Sequence, residues 1–153
     1  MRGPDRAARS VHGVARILTK DGWELVLREE DRTVARRPSE RNDGAPDDEQ
    51  RLEVRVTEHW FTVAISCFVA RPKGGFGPCA LKAIATLNQR MGMAKLGLDD
   101  DDALFVSVEL PTEGFQESHS QAAVDAVLGF ERDHLATILQ AISVDQLNAR
   151  MRM

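Results

Sequence analysis

Cysteine is scarce in this chain of 153 residues, which contains only Cys67 and Cys79. Two cysteines cannot build a disulfide scaffold, and their spacing is not that of a C-x-x-C metal pair. Long apolar runs are also lacking, since the longest, residues 61–70, contains Thr62 and Ser66 and is shorter than the roughly 20 residues of a membrane-spanning helix. We therefore expect free thiols, a reducing cytoplasmic location and no membrane partner.

The chain also lacks an excess of positive charge. The net charge is −4, whereas a general nucleic-acid binder needs a basic field that releases counterions from the phosphates. We therefore expect no nucleic-acid partner. The first 20 residues run against this trend, with five basic side chains and one acidic one. This is typical of a solvated helix face, although such a face could also meet an acidic partner or the acidic surface of another copy.

The length predicts one domain, residues 1–153, with enough buried surface to need no metal or disulfide. Residues 38–50 lack any large apolar side chain and are rich in Pro, Gly, Asp and Asn. We interpret them as a flexible loop inside the domain, because neither half of the chain would make a complete core. The tail, residues 143–153, has no clear pattern and is expected to be mobile.

Hydrophobic periodicity predicts the order helix, three or four strands, helix, two strands, helix. Apolar residues at helical spacing define the first helix in residues 7–18, a second one beginning at Pro78 and a last one opened by a Ser118–Gln121 capping box. Alternating residues predict strands in residues 23–28, 32–37, 51–56 and 61–69, followed by a hairpin in residues 94–110. The fold class is therefore α+β, a mainly antiparallel sheet with N-terminal, central and C-terminal helices.

Two side-chain assignments follow from these periods. Alternation along residues 61–69 places Cys67 on the same face as Val63 and Ile65, so Cys67 is expected in the core and Phe68 on the opposite face. In the last helix the core stripe comprises Val124, Val127, Leu128, Leu135, Ile138, Leu139 and Ile142. Phe130 lies off that stripe and predicts a second, spare apolar edge.

Four consecutive aspartates, Asp99–Asp102, separate the two strands of the predicted hairpin. A calcium loop would need a glycine at its bend and a distant bidentate glutamate, and the only nearby candidate, Glu109, falls inside the second strand. An aspartate does suit a turn, because its carboxylate accepts hydrogen bonds from nearby backbone N–H groups. We interpret the run as a solvated turn that can also serve as an acidic patch.

Residues 87–111, LNQRMGMAKLGLDDDDALFVSVELP, place Asn88 on a helix before the acidic turn and end the next strand at Leu110-Pro111. Together with the final helix, this segment resembles YbjN-domain proteins, which are similar in fold to type III secretion chaperones. The resemblance extends from about Ala80 to Ile142, and more loosely to the strand at Trp23 and the hairpin of residues 52–69. It implies a helix–sheet–helix domain that pairs with itself, binds protein segments and has no catalytic residues. The insertion at residues 38–50 departs from the family pattern.

Cys79 is the one candidate for covalent chemistry. It lies just inside a predicted helix start, where free N–H groups would favour a thiolate. No histidine stands in a recognisable catalytic arrangement with it, and the four histidines lack the spacing of metal ligands. The glycines at 74, 75 and 77 could form a phosphate nest, but the Walker pattern is absent, so a strand-to-helix connection is favoured. We expect no metal and no cofactor.

The function that these observations predict is a non-enzymatic, chaperone- or adaptor-like protein-binding domain, acting as a homodimer on a partner of unknown identity. The candidate contact residues for the partner or the second copy are Trp23, Trp60, Phe68, Phe130 and His134. One alternative is a thiol-dependent enzyme or redox sensor that uses Cys79. Another is a scaffold whose acidic segments, Asp43–Glu49 and Asp99–Asp102, bind a basic partner.

Overall fold

The computed structural model describes residues 3–38, 49–90 and 92–152. Within them the chain forms three helices and six strands, in an order that confirms the α+β prediction. The helices are α1 (Gly3–Lys20), α2 (Pro78–Arg90) and α3 (Glu117–Met151). The strands are β1 (Glu24–Arg28), β2 (Arg32–Pro38), β3 (Glu49–Val56), β4 (Trp60–Val69), β5 (Lys95–Leu98) and β6 (Leu104–Pro111). Pro38, Glu49 and Gln50 of the predicted loop lie in strands, and its other residues lie outside the described ones.

The six strands form one antiparallel sheet in the order β1-β2-β3-β4-β6-β5. Side chains of all three helices join one face of this sheet in a single hydrophobic cluster. α1 packs on β1, β2 and β3, whereas α3 packs on β4 and β6 and α2 packs on α3 and β5. The other face of the sheet carries the alternate residues of each strand, including Arg51 and Glu53 of β3.

Near the C-terminal end of β4, the side chains depart from simple alternation between the two faces of the sheet. The register of β4 with β6 shifts between Ile65 and Val69, and Cys67 takes a positive φ of 50°. This bulge turns Phe68 into the core, while Cys67 is only partly buried. The prediction that Cys67 lies in the core and Phe68 opposite was therefore wrong, because an inserted residue reverses the side-chain alternation beyond it.

The long helix α3 differs from its prediction at two points. It begins at Glu117, and the capping contact at its N-terminus joins Gln116 and His119. His119 Nδ1 accepts a hydrogen bond of 3.1 Å from the Gln116 N–H. The predicted Ser118–Gln121 capping box was wrong. The spare apolar edge at Phe130 was also wrong, because Phe130 is buried against Phe68, with ring centroids 5.8 Å apart.

The last turns of α3 include residues 143–151 of the tail. Although α3 is long, no helix in the described ranges is both long and apolar enough to cross a membrane.

The free edge of β5 is covered by Asn88 of α2. The Asn88 side-chain oxygen accepts a hydrogen bond from the Leu96 N–H at 2.7 Å, and its nitrogen donates to the Leu96 carbonyl at 2.9 Å. An amide that satisfies both backbone groups of an edge residue takes the place of a further strand. At this position the sheet is therefore closed to edge pairing.

Candidate functional site

A surface groove lies between α3 and the end of the sheet, where Trp23 precedes β1 and Arg37 lies near the end of β2. It has a volume of about 850 Å³. Its α3 wall is apolar and is formed by Leu128, Leu135, Ala136 and Leu139, and its charged rim includes Asp21, Asp125 and Arg132. Leu128 and Leu139 had been predicted as core residues, but they are only half-buried because this side of α3 faces the groove.

A polar network crosses the groove, from Trp23 and Arg37 on the sheet side to Glu131 on α3. Arg37 lies over the Trp23 ring, 4.3 Å from its centroid, and makes an ion pair with Glu131 of α3. Arg37 Nε also donates to Gln50 Oε1 at 3.1 Å, and Gln50 Nε2 donates to the Phe68 carbonyl at 3.3 Å. Glu131 and Gln50 are buried. The network thus connects the β4 bulge, the β2 end and the middle of α3.

The structure separates the five predicted contact residues. Trp23 lines the groove. Phe68 and Phe130 are buried in the core below it, and His134 is half-buried beside Phe130, with ring centroids 5.0 Å apart. Trp60 is half exposed and, as the neighbour of buried Phe61 in β4, belongs to the sheet face opposite the helices. That any of the five contacts a partner stays a prediction.

Sequence reasoning missed the residues of the polar network at the groove. Arg37, Gln50 and Glu131 are polar side chains at positions that carry no motif. Arg37 and Glu131 are 94 residues apart in the chain, so no local pattern joins them. The one available signal was the spacing of Glu131, which is four residues from both Val127 and Leu135 and so falls on the apolar stripe of α3.

Cys79 lies at the start of α2, as predicted, but the free N–H groups there are already bound. Asp145 of α3 accepts hydrogen bonds from the Cys79 N–H at 2.9 Å and the Ala80 N–H at 2.8 Å. Its carboxylate also accepts a hydrogen bond from the Cys79 thiol, which raises the pKa of Cys79, and partial burial raises it further. This is the reverse of thiol activation, so the arrangement does not favour the thiol-enzyme alternative.

Asp145 is held ionised in this arrangement. Partial burial alone would raise the pKa of Asp145, but the hydrogen bonds from Ala80, Cys79 and the thiol outweigh it and lower that pKa. The ionised form of Asp145 is therefore more stable in the folded state than in the unfolded state. The resulting stabilisation is complete above the ordinary carboxyl pKa of 3.8 and is lost as the pH falls through the folded pKa.

We expect Asp145→Ala to lower the free energy of unfolding by about 1–2 kcal/mol, the cost of losing a good helix cap. The same substitution should lower the pKa of Cys79, because the acceptor that holds the thiol neutral is removed. Urea denaturation measures the first effect. Alkylation by iodoacetamide at several pH values, read at Cys79 by peptide mass spectrometry, measures the second.

Gly77→Ala provides a second way to disturb the same contact. A Cβ at Gly77 would lie 2.5 Å from Asp145 Cγ and 2.8 Å from its Cβ, so the whole Asp145 side chain would have to move. We expect this variant to reproduce both effects of Asp145→Ala. Unchanged stability and unchanged Cys79 alkylation in both variants would contradict the assignment.

The glycine-rich segment before α2 is a turn whose anion site is already filled by the chain itself. Gly74 and Gly75 have positive φ angles of 84° and 83°, a conformation that favours glycine. The α2 N–H groups beyond them bind the Asp145 carboxylate. This agrees with the predicted strand-to-helix connection, because the N–H groups that a phosphate would need are engaged.

The four aspartates form a turn, as the sequence predicted. Asp99 Oδ1 accepts hydrogen bonds from the Asp101 N–H at 2.8 Å and the Ala103 N–H at 2.9 Å, and Asp102 takes a positive φ of 57°. Within the described residues, no group of three or more His, Cys, Asp or Glu side chains could hold a metal ion. The other predicted acidic segment, Asp43–Glu49, lies almost wholly outside the described residues.

Comparison with known families identifies one match. A family model described as T3SS (YopN, CesT) and YbjN peptide-binding chaperone 1 matches residues 50–143. The matched segment runs from Gln50 in β3 through β4, α2 and the hairpin to the groove-facing part of α3. No curated protein matches the chain.

Proposed function

Because the chain belongs to the family of T3SS (YopN, CesT) and YbjN peptide-binding chaperones, we propose that it holds a segment of a partner protein in the groove between α3 and Trp23. The role is that of a non-enzymatic chaperone or adaptor located in the cytoplasm. The single observation that carries the proposal is the pair of half-buried leucines on α3, Leu128 and Leu139, which line a concave surface of the right size for side chains of a bound segment.

The groove combines the two features that peptide recognition needs. Its half-buried leucines lose further apolar surface to water when a segment covers them, which supplies affinity. Its rim of Asp21, Asp125 and Arg132 stays solvated and restricts which segments fit. The family description names peptide binding and gives no catalytic role, which agrees with a thiol whose pKa is raised rather than lowered.

We further propose that the chain pairs with a second copy. Val144, Leu147 and Met151 are exposed apolar side chains on the last turns of α3, and their spacing of three and four residues places them on one helix face. A second copy would cover such a face. Sedimentation velocity across micromolar concentrations tests this, and a strictly monomeric species would contradict it.

A peptide selection tests the binding role. We expect the intact chain, immobilised, to enrich peptides from a phage-displayed random 12-residue library, and the enriched synthetic peptides to bind in solution. Leu139→Asp should weaken that binding at least roughly tenfold, because a carboxylate would be buried against apolar side chains. Isothermal titration calorimetry measures the affinity.

Leu81→Asp is the matched control, since Leu81 is an exposed leucine on α2, outside the groove. It should bind the selected peptides as the parent chain does. Equal weakening by both substitutions would locate binding elsewhere. A selection that yields no peptide binding in solution would overturn the proposed function.

A further inference from the structure

The Trp23 side chain contains a hydrogen-bond donor with no acceptor. Trp23 is 3% exposed, and its buried Nε1–H finds no partner among the described residues. A buried donor left unpaired costs free energy, of the order of a lost hydrogen bond. Such a group in a native structure calls for an explanation, and Trp23 lines the groove where a partner segment is proposed to bind.

Resting on the proposed function, we infer that the Trp23 indole N–H is the polar recognition element of the groove. The bound segment presents to it a backbone carbonyl oxygen that is flanked by aliphatic side chains. The indole nitrogen can only donate, so its partner must be an acceptor. The flanking side chains are those that would pack on Leu128, Leu135 and Leu139 of the apolar wall.

The charges around the groove favour a neutral acceptor over a carboxylate. Asp21, Asp125 and Glu131 all line it, so an incoming carboxylate would meet like charges. The two guanidinium groups in the lining are already engaged, Arg37 with Glu131 and Arg132 with Asp133. A backbone carbonyl avoids this repulsion. It must not be bonded within the segment's own secondary structure, since only a free carbonyl can accept from Trp23.

Arg37 controls access to the indole. Its guanidinium lies 4.3 Å from the centroid of the Trp23 ring and its side chain lines the same groove. A segment that reaches Nε1 therefore has to shift Arg37 away from the ring, and the new hydrogen bond compensates part of the cation–π contact that is lost. Binding should accordingly change the environment of Trp23 directly.

Indole N–H resonances test the inference on the unmodified chain. The protein has two tryptophans, so the ¹H–¹⁵N spectrum contains two Nε1–H peaks, which Trp60→Phe assigns. Adding a saturating amount of a peptide selected from the 12-residue library should move the Trp23 peak downfield and slow its exchange with water. The Trp60 peak should not move, because Trp60 lies on the opposite face of the sheet.

Trp23→Phe measures how much the indole N–H contributes to the affinity for the peptide. Trp23→Phe keeps an aromatic ring under Arg37 and removes the donor, so the selected peptide should bind roughly three- to tenfold more weakly, the effect of one net hydrogen bond. Leu81→Ala should bind as the parent chain does. A peptide that binds while the Trp23 peak stays in place overturns this inference and leaves the proposed function standing. The absence of any binding peptide overturns both.

Discussion

Replacing Phe68 by alanine is expected to lower the free energy of unfolding by about 3–5 kcal/mol, the usual cost of deleting a buried phenylalanine ring. Phe68 is 0% exposed and meets the Phe130 ring edge-on at 5.8 Å. Its truncation would leave a cavity between the β4 bulge and the middle of α3, where the surrounding rings can relax only in part. Chemical denaturation followed by circular dichroism measures the loss.

Cys67→Ala is the matched control, since the two residues are neighbours on the same bulge. Cys67 is only partly buried, so its truncation should cost less than about 1 kcal/mol. The strand alternation predicted the opposite ranking, with Cys67 in the core and Phe68 outside. A larger loss for Cys67→Ala than for Phe68→Ala would therefore contradict the bulge and restore the regular strand.

That bulge shows where periodicity stops being informative. The order of helices and strands was predictable, because apolar residues repeat at helical spacing in α1, α2 and α3 and alternate in the hairpins. At this bulge Cys67 adopts a positive φ, and cysteine is not a residue type that favours this conformation. The assignments of Cys67 and Phe68 were consequently exchanged, whereas Val69 is buried as the alternation predicted.

The acidic turn was predictable for the opposite reason. Asp99 binds N–H groups two and four residues further along the chain, so all the partners lie within one short segment. The groove has no such local basis. Its Trp23 precedes β1, whereas Arg37 lies in β2 and Glu131 in α3, and these residues meet only through the packing of α3 at the sheet. Residues that depend on how elements pack cannot be identified from spacing in one sequence.

The pKa of Cys79 likewise depends on a contact between elements that are distant in the sequence. The position of Cys79 at the start of α2 was correct, and free N–H groups there would lower a thiol pKa. The structure brings in Asp145, 66 residues away, and its carboxylate raises the pKa of Cys79 instead. The sign of the effect was therefore set by a tertiary contact.

Glu131→Ala is the second substitution with a large expected effect. The Glu131 side chain is 8% exposed and its partner Arg37 22%, so the pair is largely removed from water. Deleting the carboxylate leaves the Arg37 charge half-buried beside Gln50 and the Trp23 ring. We expect a loss of about 3 kcal/mol, at the lower end for breaking a buried pair because Arg37 retains some solvent contact.

Asp133→Ala supplies the control on the same helix. Asp133 pairs with Arg132, and these side chains are 54% and 77% exposed, so the loss of stability should be much smaller than that of Glu131→Ala. A double substitution, Arg37→Met with Glu131→Leu, should recover most of the stability, because apolar side chains replace a buried pair without leaving a charge behind.

Similar losses for Glu131→Ala and Asp133→Ala would mean that Arg37 is solvated rather than held over Trp23. The groove would then lose the cover over its indole, and recognition through Trp23 would proceed without displacing any ion pair.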